Sequence, residues 1–273
     1  MPSASGDTTG GMIRSKAGGP HGVSTISAHA LRLVRYCWRL ATQPDRVVLD
    51  SSRLLVPDIC SGQVRRSIYA GLYEGSEVKA VRKFVGEGEV VIDAGASIGY
   101  LSLQIARIVG SDNLYAVEAN RDLLSHIEAN FRENGVPCPH LIHGLVSAPG
   151  HTERPFNISR EIWSSSVLDR GNTAKVDVVP CVDLDEMLEE TGATVLVCDI
   201  EGGECELIQQ CRFPGLKTII MELHPDLFTG LDVPGALASL GGRSFGLREI
   251  VDGKVYVFTR QDDQERSRST SSS

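Results

Sequence analysis

At 273 residues, 41% hydrophobic and 23% charged, the chain is long enough to bury one sizeable core without disulfide or metal staples. No apolar run approaches the roughly 20 residues needed to cross a bilayer, and a net charge of −8 argues against nucleic acid as the main partner. The seven cysteines are odd in number and contain no C-x-x-C pair, which fits neither a zinc ribbon nor a closed disulfide framework. Free thiols in a reducing, cytoplasmic setting are the expectation.

Residues 1–23, rich in Gly and Ser, read as a disordered tail, and so does the polar stretch 261–273. Between them an N-terminal extension, 24–85, is expected to cover the site of a main domain at 86–260. In "ISAHALRLVRYCWRLATQ", Leu31, Val34, Trp38 and Ala41 share one helical face while Arg32, Arg35 and Arg39 share another. This predicts an amphipathic helix packed on its own domain, with the charged face in solvent. "DRVVLDSSRLLVPDICSG" reads as a hairpin, followed by a helix at about 77–84. Strands at 90–94, 113–118, 140–146, 194–199 and 217–223 then alternate with helices at 98–109, 121–134 and 204–212. Such alternation predicts an α/β fold with a mostly parallel sheet and helices on both faces.

The polar insertion 151–180 interrupts that rhythm and is expected over the ligand edge of the sheet, with "CVDLDEMLEETG" forming a short helix after it. "GLREIVDGKVYVFTR" is a hairpin around Asp252-Gly253 that closes the sheet with antiparallel strands.

The stretch "VVIDAGASIGYLSL" is a strand running through two glycines into a helix. A dinucleotide fingerprint starting at Gly95 would need glycine at 97 and 100, where Ser97 and Tyr100 stand. The spacing present, Asp93, Gly95 and Gly99, suits a cofactor without a pyrophosphate, such as S-adenosylmethionine, whose ammonium needs a carboxylate and whose carboxylate and ribose need bare backbone. Glu118, at the end of the next strand, stands where an acid takes ribose hydroxyls in this architecture.

The blocks "RRSIYAGLYEGSEVKAVRKFVGEGEVVIDAGASIGYLSLQIARIVGSDNLYAVEAN", "VLVCDIEGGECELI" and "IIMELHP" resemble the FkbM family of class I S-adenosylmethionine-dependent methyltransferases, over roughly residues 65 to 260. The resemblance implies the Rossmann-like class I fold, a seven-stranded sheet ending in an antiparallel hairpin. It also implies methyl transfer, most often to a hydroxyl of a natural product, sugar or glycan. By the same resemblance Asp93, Gly95, Ala96, Ser97 and Gly99 line the methionine half of the cofactor and Glu118 and Asn120 its ribose side. Leu145, within 144–147, lies against adenine, and Tyr73 and Glu74 cover the cofactor. Two places depart from the family: Cys198 stands where a lysine is usual, and Glu118-Ala119-Asn120 replaces E-P-N.

"VCDIEGGE" and "MELHP" bring Asp199, Glu201, Glu204, Glu222 and His224 to two neighbouring strand ends. Methyl transfer needs an aligned acceptor and a group to take its proton, so Asp199, His224 and Glu201 are the candidate catalytic residues. Glu222 and Glu204 are expected to meet the acceptor, with Trp163 and Ser165 of the insertion as its wall. The same acids and histidine form an oxygen-rich set that would suit Mg²⁺ or another divalent ion; that reading is not favoured from sequence, because nothing there fixes their geometry. The expected partner is a small-molecule or saccharide acceptor. The oligomeric state is left open, a homodimer being one arrangement allowed. The alternatives are an N-methyltransferase and an idle methyltransferase-like interaction module.

Overall fold

The computed structural model describes residues 28–58, 60, 62–159, 173–227 and 232–261. The N-terminal layer comprises helix α1 (Ala28–Thr42), a hairpin of β1 (Arg46–Leu49) and β2 (Ser52–Leu55), and helices α2 (Gly62–Ala70) and α3 (Gly75–Phe84). Then come β3 (Val91–Ala94), α4 (Tyr100–Val109), β4 (Leu114–Glu118), α5 (Arg121–Glu133) and β5 (His140–His143). A side sheet uses β6 (Leu145–Ser147), β7 (Glu153–Ser159) and β8 (Thr173–Asp183). The chain returns through α6 (Leu184–Thr191), β9 (Val195–Cys198), α7 (Glu204–Gln210), β10 (Thr218–Glu222), α8 (Val233–Gly241), β11 (Phe245–Val251) and β12 (Val255–Arg260).

The main sheet has seven strands in the order β11-β12-β10-β9-β3-β4-β5, parallel from β10 to β5 and antiparallel at β11 and β12. Its central strands are buried on both faces, which is why they read as near-continuous apolar runs. Alternate residues feed two cores. Val91, Leu114, Val195 and Val257 pack with α3, α4 and α5, whereas Ile92, Val117, Leu196 and Phe258 pack with α6, α7 and α8.

Three expectations change. The strand at 140–146 is two strands: at Gly144 the chain leaves the main sheet, and Leu145–Ser147 pairs with β8 instead. A side chain at 144 would meet Val182 Cγ2 at 2.6 Å, so the exit passes through a gap that admits only glycine. The helices α2 and α8 were not expected. The packing of α1 also differs: Leu31, Val34 and Trp38 are exposed, while Arg39 is 7% exposed and donates to the carbonyls of Tyr69 and Val48, both at 3.0 Å. The guanidinium serves these two carbonyls, while Arg32 and Arg35 stay exposed, so of the three arginines Arg39 turns to the domain.

Asn130 ties the N-terminal hairpin to the domain. Fully buried in α5, it accepts from Leu55 N–H and donates to Ile98 O, both at 2.7 Å. Asn130→Ala should orphan both groups, costing about 3 kcal/mol and lowering the thermal midpoint by roughly 5–10 °C in a calorimetric scan. A midpoint within a degree of wild type would contradict this role.

Candidate functional site

The chain runs from β3 to β4 on one side, while β9 lies on the other side of β3, so the turns after β3 and β9 flank a crevice at the carboxyl end of the sheet. The first turn is held in left-handed conformations at Gly95 (φ +92°), Ser97 (φ +51°) and Gly99 (φ +80°). The N–H groups of Gly95 and Ala96 both donate to Val117 O at 3.0 Å. Gly95 has no alternative: a Cβ there would stand 2.0 Å from the carbonyl oxygen of Asp199 in the opposite turn. Glycine thus lets the two turns touch.

Glu118 fixes the turn from the side. Its carboxylate accepts from Ser97 N–H at 2.8 Å and Asn120 N–H at 2.7 Å. Burial pushes its pKa up to about 7, against the lowering effect of those two hydrogen bonds. A carboxylate with two N–H donors retains lone pairs for further donors, and here they meet a cavity of about 340 Å³. The cavity runs along the ends of β4, β3, β9 and β10, a span of about 14 Å at the usual strand spacing.

Of the residues expected at the cofactor, Gly95, Ser97, Glu118, Leu145, Tyr73 and Glu74 line this cavity. Tyr73 Oη lies 2.9 Å from Ser97 Oγ, and Glu74 accepts from Leu101 N–H at 3.0 Å, capping α4. Burial, then the neighbouring acids, holds Glu74 well above the usual carboxylate range. Asp93, Ala96, Gly99 and Asn120 are not among the lining residues. Asp93 is 1% exposed and accepts from Ser102 Oγ inside the fold, where burial lifts its pKa to about 6. Gly99 packs on Ile127 and starts α4, and Asn120 caps α5 by accepting from Asp122 N–H at 3.1 Å. These four shape the cradle from behind.

At the other end, Asp199, Glu201 and Glu222 face the cavity. Glu204, expected to meet the acceptor, is instead fully buried and takes His224 Nδ1 at 2.7 Å and Gly202 N–H at 2.8 Å. His224 itself stands behind the cavity wall, with Nε2 toward the carboxylates. Burial lowers its pKa, but Glu204, Glu201 and Asp199 together outweigh burial and bring it to about 9. Asp199 is held well above the usual range by burial and then by Glu222. Trp163 and Ser165 lie outside the described residues.

Lys254, Glu77 and Phe156 are among the lining residues that the sequence did not point to. Lys254, between β11 and β12, reaches Glu222 at 2.8 Å and Glu77 of α3 at 2.9 Å, and Phe156 of β7 closes the side near Glu118. Of the described residues of the insertion, Phe156 reaches the cavity. Local sequence carries no signal for Lys254 or Glu77, which are 177 residues apart.

Residues 64–143, from α2 through β5, match the model of the TRM5/TYW2 methyltransferase domain. The cofactor expected from the sequence, S-adenosylmethionine, is the one such a methyltransferase domain calls for. The residues fit it: a buried acid on the cavity wall, bare backbone at Gly95, and apolar Leu145, Val146 and Phe156 beside Glu118. No curated protein matches the chain. The structure of magnesium protoporphyrin IX methyltransferase from Synechocystis PCC 6803 with bound SAM covers 86% of this chain and 92% of its own, at 12% identity and a TM-score of 0.47. M. jannaschii TYW2 in complex with AdoMet covers 79% and 85%, at 14% identity and a TM-score of 0.43. A methyltransferase from Pyrococcus furiosus covers 85% and 98%, at 11% identity and a TM-score of 0.45. Among the described residues no helix is long and apolar enough to cross a membrane.

Proposed function

We propose that the protein methylates a hydroxyl of a small natural product or saccharide, as its resemblance to the FkbM enzymes implies. One observation carries the reading: a single cavity joins the buried acid Glu118 at β4 to the carboxylates Asp199, Glu201 and Glu222 at β9 and β10. Glu118 accepts the ribose hydroxyls, and the apolar wall at Leu145, Val146 and Phe156 takes the adenine. Bound there, the cofactor supplies an electrophilic methyl carbon on a sulfonium.

The chain's own work is to align an acceptor oxygen and to take its proton. Asp199 suits that task better than His224. A carboxylate raised well above its usual range is a stronger base once ionised, whereas an imidazole with a pKa of about 9 already holds its proton at neutral pH. Carboxylates at the mouth also favour a neutral, hydrogen-bonding acceptor over a polyanion, which would meet repulsion there.

The test is incubation with methyl-labelled S-adenosylmethionine and a panel of polyhydroxylated acceptors. Label should enter an ether, and Asp199→Asn should lower kcat by about a hundredfold or more while leaving cofactor affinity within a few-fold. Label appearing only in amines or in RNA would replace the acceptor class.

A further inference from the structure

The methyl-transfer reading leaves His224 unused, although the fold holds it firmly. Glu204 is fully buried with both oxygens engaged, one by Gly202 N–H and the other by His224 Nδ1. That pairing fixes the ring and aims Nε2 at a gap. Around the gap stand Glu201 Oε2 at 3.5 Å from Nε2, Asp199 Oδ1 at 3.8 Å and Glu222 Oε1 at 3.8 Å.

These separations are too long for hydrogen bonds, which run from about 2.7 to 3.2 Å. They approach the spacing between neighbouring ligands of a divalent ion: bonds of about 2.1 Å put adjacent ligand atoms roughly 3.0 to 3.4 Å apart. One donor atom each from Asp199, Glu201 and His224 lies within 4.8 Å of the others. The second, independent observation is Asp199 Oδ1, which is sealed from solvent and has no hydrogen-bond partner among the described residues. A buried carboxylate oxygen in that state costs stability until a cation or donor reaches it. Lys254 does not serve, since its ammonium is engaged by Glu77 and Glu222.

We infer that Asp199, Glu201 and His224 bind a divalent cation, with Glu204 as the outer carboxylate that orients the histidine. Histidine ligands bonded to a carboxylate through the second nitrogen are the usual arrangement at metal centres. One imidazole among carboxylates suits Mn²⁺, Fe²⁺ or Zn²⁺ better than Ca²⁺ or Mg²⁺. Because Asp199 and Glu201 also line the cavity, the remaining positions of the ion open toward it. There the ion would orient an oxygen acceptor, a consequence that rests on the methyl-transfer reading; binding of the ion itself does not.

The experiment is titration of the chelator-stripped full chain with Mn²⁺, following loss of the free-ion signal by electron paramagnetic resonance, with S-adenosylhomocysteine titrated in parallel. One ion per chain is expected, with affinity lowered at least tenfold in Asp199→Asn, Glu201→Gln and His224→Ala. Glu204→Gln should lower it by about 10–100-fold through the second nitrogen alone. Wild-type protein that binds S-adenosylhomocysteine but no Mn²⁺ overturns the site, as does Mn²⁺ binding indifferent to all four substitutions. Mn²⁺ binding without S-adenosylhomocysteine binding would leave the ion site standing and remove the methyl-transfer reading.

Discussion

Gly95→Ala should abolish measurable binding of S-adenosylhomocysteine and destabilise the protein by about 3 kcal/mol or more. Two costs add. The left-handed backbone at φ +92° strains any L side chain by roughly 1–3 kcal/mol, and the new Cβ would sit 2.0 Å from Asp199 O, a backbone atom at the end of a buried strand. Relief requires the turns after β3 and β9 to separate, which opens the cradle at its narrowest point. Gly110→Ala is the control. It shares the positive φ, at +84°, but a Cβ there meets nothing within 4 Å. It should pay only the conformational cost, roughly 1–3 kcal/mol, and leave binding intact. Equal thermal midpoints and affinities for the two variants would remove the argument from turn contact.

Glu118 should make cofactor affinity depend on pH. Its pKa in the free site is about 7, and on the proposed reading ribose hydroxyls donate to the ionised form, so binding would draw on the ionised fraction. Affinity for S-adenosylhomocysteine should rise about tenfold between pH 6 and pH 8. The same shift affects the stability of the free protein with the opposite sense. Between 4.5, the ordinary value, and about 7, the folded state binds more protons than the unfolded one. The contribution of this group to stability is therefore full below pH 4.5 and is lost as pH rises through 7. Glu118→Ala should flatten the binding profile and weaken affinity at pH 8 by at least tenfold, about 1.4 kcal/mol. It removes the proposed ribose acceptor and leaves the Ser97 and Asn120 N–H groups without their carboxylate. A flat profile in the wild type would show that Glu118 is not the group that titrates at the cofactor.

The core of the sheet was legible because strands buried on both faces read as near-continuous apolar runs; β9 is apolar throughout, and β3 and β10 are interrupted only by Asp93, Thr218 and Glu222. Asp252-Gly253 likewise announced the closing hairpin, since the turn needs positive φ at both positions and has it. The exit at Gly144 was hidden because a strand that changes sheets keeps the same composition on either side. The orientation of α1 was hidden for a different reason. Periodicity separates an apolar face from a charged one but does not say which finds partners, and the carbonyls that bind Arg39 belong to Tyr69 and Val48. At the site, the acids on consecutive strand ends could be read from order alone. The roles of Glu204 as anchor of His224, and of Lys254 as bridge between Glu222 and Glu77, depend on three-dimensional approach across separate elements.

Calorimetric titration of the wild-type chain with S-adenosylhomocysteine at pH 8 tests the central claim most directly. Binding at one site per chain with a micromolar dissociation constant, about −8 kcal/mol, is the predicted result. A folded protein that takes up no heat from the ligand at millimolar concentration would contradict it, leaving the turn at Gly95 and the acid at Glu118 as scaffold without a cofactor.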